Sequence, residues 1–102
     1  MLDLRLDLLP ETAHRLKRVL ELSPDSETFV QNIIAYQVGE LRRGILNLRL
    51  DLKEFETKYQ RSTADFCRDF RQGETADQED YIVWAGLYEM LNKNEERLQG
   101  LI

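Results

Sequence analysis

Between residues 34 and 59 the large apolar side chains fall on one line. Ile34, Val38, Leu41, Ile45, Leu48, Leu52, Phe55 and Tyr59 follow one another at gaps of 4, 3, 4, 3, 4, 3 and 4. Only an α-helix returns to the same face after alternately three and four residues, so the spacing predicts a single helix of more than three heptads. Ser26 suits its N-cap, with the helix starting at Glu27 and running to about Tyr59 or Gln60. Gly39 and Gly44 lie inside it; each costs about 1 kcal/mol relative to alanine, and a bend between them fits the pattern. Val38 and Ile45 at one core position, with Leu41 and Leu48 at the other, suit a two-stranded parallel coil. The flanking charges do not, because such a self-pair sets Asp51 against Glu56 and offers no opposite charges from Gln37 to Arg42 or from Gly44 to Arg49. The seam is therefore expected to pack on the chain's own last helix or on another protein. Leu46 and Leu50, one turn apart and outside the seam, widen its apolar face.

The pentapeptide LRLDL at 48–52 belongs to this helix, yet it also occurs at residues 4–8. There Leu2, Leu4, Leu6 and Leu8 alternate with Asp3, Arg5 and Asp7, a period of two that predicts a strand closed by Leu9-Pro10. Pro10 then opens a helix through Ala13, Leu16, Val19 and Leu20, which Ser23-Pro24 stops. Ser62 with Asp65 opens a short helix carrying Phe66, Cys67 and Phe70 and ending at Gly73. Asp77 caps a last helix through about Gln99, with Tyr81, Trp84, Leu87, Tyr88, Leu91 and Leu98 as its apolar positions. The expected fold class is mainly α: a short N-terminal strand, a helix, a long helix and a C-terminal helical hairpin.

A lone strand leaves its backbone donors and acceptors unmet, and a two-stranded ribbon is marginal in water. Leu4, Leu6 and Leu8, together with Ile34, Val38 and Leu41, are accordingly assigned to a homodimer or higher-oligomer interface. The alternative is that residues 1–9 add as a strand to a different protein. The expected organisation is a dimerisation region over 1–45 and a partner-binding region over 46–102.

Charge separates the same halves. Residues 1–50 hold seven Lys or Arg against seven Asp or Glu, and residues 51–102 hold seven against twelve, so the whole net charge of −5 is C-terminal. Such a surface repels nucleic acid and complements a basic protein, although solvated helix faces account for the same pattern. Six of the nine aromatics fall between residues 59 and 88. Their helical spacing predicts a small core, and aromatics bordered by acids also suit an anchor for a basic cleft. Leu46, Leu50, Phe66, Phe70, Glu74, Asp80, Tyr81, Trp84 and Tyr88 are the partner-binding candidates.

Other chemistries have little to work with. One cysteine, Cys67, and one histidine, His14, supply neither a disulfide nor a metal-ligand spacing, and no nucleophile–histidine–acid set or glycine-rich phosphate loop occurs. No cofactor, metal or catalysis is expected. With no run of about 18 apolar residues and no secretory leader, the expected location is the cytoplasm, away from membranes.

Two resemblances bear on function. LDLRLDLLPETAHRLKRVLELSPDSETFVQNIIAYQV, in the order strand, short helix, Ser-Glu-initiated helix, resembles the ribbon-helix-helix pattern of small bacterial repressors and antitoxins. KYQRSTADFCRDFRQGETADQEDYIVWAGLYEM resembles a C-terminal segment of small antitoxin-like proteins, on Lys58-Tyr59, Ser62, Phe66, Phe70, Gly73-Glu74, Asp80-Tyr81 and Trp84. Together they imply an antitoxin of a toxin–antitoxin pair, dimerising through its N-terminal half and neutralising a cognate toxin through its C-terminal half. The first resemblance also implies operator DNA contact, with Arg5, Arg15, Lys17 and Arg18 as the candidates. Asp3 and Asp7 beside Arg5 oppose the phosphate attraction that supplies most of such affinity. A structural or adaptor subunit of a larger assembly is the alternative.

Overall fold

A computed structural model of the chain describes residues 5–23, 25–75 and 78–102. Four helices account for most of them: α1 (Pro10–Leu22), α2 (Ser26–Tyr59), α3 (Thr63–Arg71) and α4 (Glu79–Gln99). The chain divides into two compact units, Met1–Ala35 and Tyr36–Ile102, and α2 contributes to each.

The expected N-terminal strand is overturned. Residues 5–9 form neither helix nor strand, Leu6 and Leu9 stand exposed, and no strand occurs among the described residues; Leu4 lies outside them. The chain is all-α, and the ribbon-helix-helix pattern fails at its first element. Alternation decides which face a strand would bury, but it supplies no hydrogen-bonding neighbour, and the described residues provide none. Pro10 at the first position of α1 instead commits the following residues to helix, with the Ala13 amide donating to the Leu9 carbonyl at 2.9 Å.

Within the first unit, α1 has no fully buried residue, and Leu16 and Phe29 are only half-covered. Asp25, rather than Ser26, caps α2: its carboxylate accepts the Thr28 amide at 2.6 Å. Both residue types cap well, and the structure uses the one a position earlier. That hydrogen bond holds the Asp25 carboxyl below its usual range.

α2 is 34 residues long and stays helical through Gly39 and Gly44. It stops in a left-handed turn at Gln60, with φ 53°, where the Arg61 amide reaches back to the Glu56 carbonyl at 3.3 Å. Ser62 caps α3 by accepting the Asp65 amide at 3.2 Å, as the sequence predicts. α3 ends in a Schellman turn at Gly73, φ 72°, with Glu74 donating to the Asp69 carbonyl and Gly73 to that of Phe70. Asp77, expected to cap α4, lies outside the described residues; Gln78 occupies the N-cap position without a side-chain bond.

Among the described residues the buried core belongs to the second unit. Ile45, Leu48 and Leu52 from α2 meet Phe66 and Cys67 from α3 and Trp84 and Leu91 from α4. Asp80 sits against Lys58 and Tyr59, and Glu95 against Arg49, so α4 runs antiparallel to the second half of α2. The lower seam is therefore covered by the chain's own last helix.

Trp84 is 0% exposed and Phe66 1%; their rings stack at 3.9 Å between centroids with 3° between planes. Phe55 and Tyr59 stack on the same indole at 5.6 and 5.7 Å. The indole Nε1–H donates to the Thr63 hydroxyl at 2.9 Å, and Thr63 is itself buried. An indole N–H without a partner costs about 1–3 kcal/mol when buried. Thr63→Val, which keeps the shape and removes the acceptor, is expected to destabilise the second unit by that amount in chemical denaturation, and Thr63→Ser by clearly less. Equal losses in the two variants would show that shape, not the hydrogen bond, matters at this position.

Candidate functional site

Most of the aromatic candidates are placed inward. Phe66 and Trp84 are buried, and Phe70, Tyr81 and Tyr88 are half-covered against them. Rings arranged in this way make the core of the unit and offer a partner only their edges.

A polar belt surrounds that core and joins its helices. Lys58 Nζ and the Tyr59 hydroxyl both donate to Asp80 Oδ2, at 2.6 and 2.5 Å, linking the end of α2 to the first turn of α4. Arg61 pairs with Asp69 at 2.5 Å, and Glu56 accepts the Thr63 amide at 2.8 Å, one of the free donors at the start of α3. Arg49 pairs with Glu95 across α2 and α4. These contacts set the ionisation of their members. The Lys58 ammonium, then the Tyr59 hydroxyl, hold the Asp80 carboxyl below its usual range, and Arg61 does the same for Asp69. Bonding to Asp80 pushes both Lys58 and Tyr59 up. Burial raises the Cys67 thiol despite Arg71 nearby, which disfavours the nucleophilic thiolate.

A groove of about 600 Å³ lies between α2 and α4. Ile45, Leu46 and Leu98 supply its apolar surface, Arg42 and Arg49 a basic side and Glu95 and Glu96 an acidic side. Leu46, 57% exposed, is the one partner-binding candidate that lines it; Leu50, 56% exposed, stands clear of it, and Glu74 is exposed beyond α3. An apolar trough with opposite charges on its two sides suits the apolar stripe of a protein segment rather than a polyanion.

The remaining sequence candidates are separate from this groove. Among the dimerisation residues Leu6 and Leu8 are exposed, Ile34 is 42% exposed, and Val38 and Leu41 are half-covered. Arg5 lies in the irregular segment before α1, whereas Arg15, Lys17 and Arg18 are exposed on α1, where Arg15 pairs with Glu11 at 3.1 Å. No cluster of three or more His, Cys, Asp or Glu suited to a metal ion occurs among the described residues. No described helix is long and apolar enough to cross a membrane.

Sequence reasoning gave no role to Thr63 or to the Arg49–Glu95 pair, and weighed Glu56 and Arg42 only as charges flanking the seam. Only the position of Thr63 just after a helix cap hinted at a role. Its bond to a ring 21 residues away had no sequence signal.

The fold defines an all-α chain whose C-terminal unit packs the second half of α2, α3 and α4 around one core. Comparison with protein-family models, curated proteins and solved structures gives no match.

The belt predicts the pH profile. Asp80 and Asp69 have lowered folded-state pKa values, so their contribution is complete above the unfolded value near 4 and is lost as pH falls through the folded values. Lys58 and Tyr59 have raised values, so theirs is complete below about 10 and is lost on further rise. Denaturation midpoints are expected to stay level from about pH 5 to 9 and to drop on both sides. Asp80→Asn is expected to flatten the acid limb. A full acid limb in that variant would remove Asp80 from the account.

Proposed function

We propose that this chain is a non-catalytic protein-binding module that self-associates through its N-terminal half and carries a preformed three-helix unit as its C-terminal half. One observation carries the reading. Val19, Leu20 and Leu22 on α1 and Val30, Ile33 and Ile34 on the first part of α2 are all large, apolar and exposed, Leu22 to 88%. Single exposed apolar residues are ordinary, but a concentration of them on two successive helices marks an interaction surface. The buried core residues all belong to the other unit, which has its own closed packing. An adaptor or assembly subunit fits this division of labour.

Neutralisation of a basic protein, the antitoxin reading, is favoured by a different observation. The acid excess of residues 51–102 lies on a unit whose exposed surface includes Glu74, Glu79, Leu46 and Leu50. The two readings share the self-associating half and differ in what the C-terminal unit holds. Co-expression of the chain with the small proteins encoded beside it separates them: rescue of growth from a toxic neighbour supports neutralisation, and a stable complex without toxicity supports the adaptor.

Sedimentation equilibrium is expected to find the chain as a dimer or higher oligomer. Ile34→Asp is expected to shift it to monomer with helix content and the Trp84 emission spectrum kept, because the core lies in the other unit. A wild-type chain that remains monomeric at high micromolar concentration would end the self-association reading.

A further inference from the structure

The apolar seam of α2 has two fates. From Ile45 to Tyr59 it is covered by the chain's own α3 and α4. α4 runs antiparallel to it and reaches Arg42, which shares the groove with Leu98 and Gln99. Before Arg42 the same seam continues through Leu41, Val38 and Ile34, and Val30 and Ile33 broaden it; Val30, Ile33 and Ile34 remain 41–47% exposed.

We infer that this open stretch of α2 pairs with the same stretch of a second copy, antiparallel, about a two-fold axis at Ile34. The inference rests on the self-association proposed above and adds its partner, orientation and register.

Orientation follows from charge. The stretch begins with Glu27 in the first turn of α2 and ends with Arg42 and Arg43. A parallel pair would set acid against acid at one end and arginines against arginines at the other. An antiparallel pair brings each Glu27 to the arginine end of its partner, and a two-fold axis makes that contact twice. Arg43 is already bonded to Glu40 of its own helix, and Asp25 is engaged as the α2 cap. Neither Arg42 nor Glu27 makes an ion pair among the described residues, Glu27 accepting only the neutral Gln31 amide at 2.8 Å, so these two are the charges that decide the match.

Register follows from space. α4 occupies the seam up to Arg42, so the partner's α2 has to start there. Setting the partner's first helical residue, Ser26, opposite Arg42 puts the midpoint at Ile34. Ile34 then meets its own copy, Val30 meets Val38, and Glu27 meets Leu41 beside Arg42. At the seam positions Val30, Ile34 and Val38 apolar residues face apolar residues, and the acid sits at the basic end.

The test is a charge exchange followed by a distance measurement, both on the full chain. Arg42→Glu alone replaces two attractions by two repulsions and is expected to weaken dimerisation about tenfold in sedimentation equilibrium at low salt. Glu27→Lys alone is expected to do the same, and the double variant to return to within about threefold of wild type. In a parallel pair each end faces its own copy, so neither single exchange changes the sign of a contact and no rescue arises. Circular dichroism and Trp84 emission verify that each variant is folded.

A spin label on Leu50→Cys, with the unlabelled parent as background for buried Cys67, gives a second reading. Leu50 lies 16 residues from the axis, so antiparallel labels are expected about 50 Å apart and parallel labels within about 20 Å. Rescue together with the long distance establishes the antiparallel dimer. A dimer with no rescue, or with the short distance, overturns the orientation and leaves self-association standing. A monomeric wild type overturns both.

Discussion

A tryptophan can be removed completely from water only where its ring finds flat partners and its N–H finds an acceptor, and Trp84 has both. Phe66 lies parallel to it at 3.9 Å, Phe55 and Tyr59 stack at greater distance, and the Thr63 hydroxyl takes the N–H at 2.9 Å. These contacts bring three elements together: Phe55 and Tyr59 from the end of α2, Thr63 and Phe66 from the start of α3, and the indole from α4. The requirements of one side chain thus fix how three helices meet. An aromatic ring of this size also supplies the largest single share of apolar burial that so small a unit has available.

The contacts around the indole explain the placement of the charged residues. Thr63 is held as acceptor because its amide is bonded to Glu56 and its helix is capped by Ser62. Lys58, Tyr59 and Asp80 tie the first turn of α4 to the end of α2. Acidic residues that suggest a docking surface when counted along the chain are, for Asp69 and Asp80, engaged in internal bonds. The acid excess available to a partner is correspondingly smaller than the sequence total, and the groove beside Leu46 carries charges of both signs.

α2 works in two ways along one length. Its second half is a wall of a closed core, while its first half and α1 keep large apolar side chains exposed. A helix extending beyond its own covering layer loses apolar burial that only another protein surface can restore. That imbalance, more than any motif, is what supports the binding role proposed above.

How much of this was legible differs from element to element. The seam from Ile34 to Tyr59, Pro10 at the start of α1, Ser62 at the start of α3 and Gly73 at its end could all be read from spacing and residue type, because helix period and capping are local chemistry. The alternating leucines before Pro10 misled, since a period of two states a face but not a neighbour, and a strand without a neighbour does not form. LRLDL is the sharpest case: the copy at 48–52 is helical because Ile45 and Phe55 extend its period, and the copy at 4–8 has no such flanks. The sequence alone determined where α1 and α3 begin and end and that one face of α2 is apolar. Only the tertiary structure decided which half of that face is filled, that Phe66 and Trp84 are core rather than anchor, and that Thr63 and Asp80 hold the unit together. Those outcomes depend on residues about 20 positions apart meeting in space, and a hydrogen bond between distant residues leaves no periodic trace along the chain.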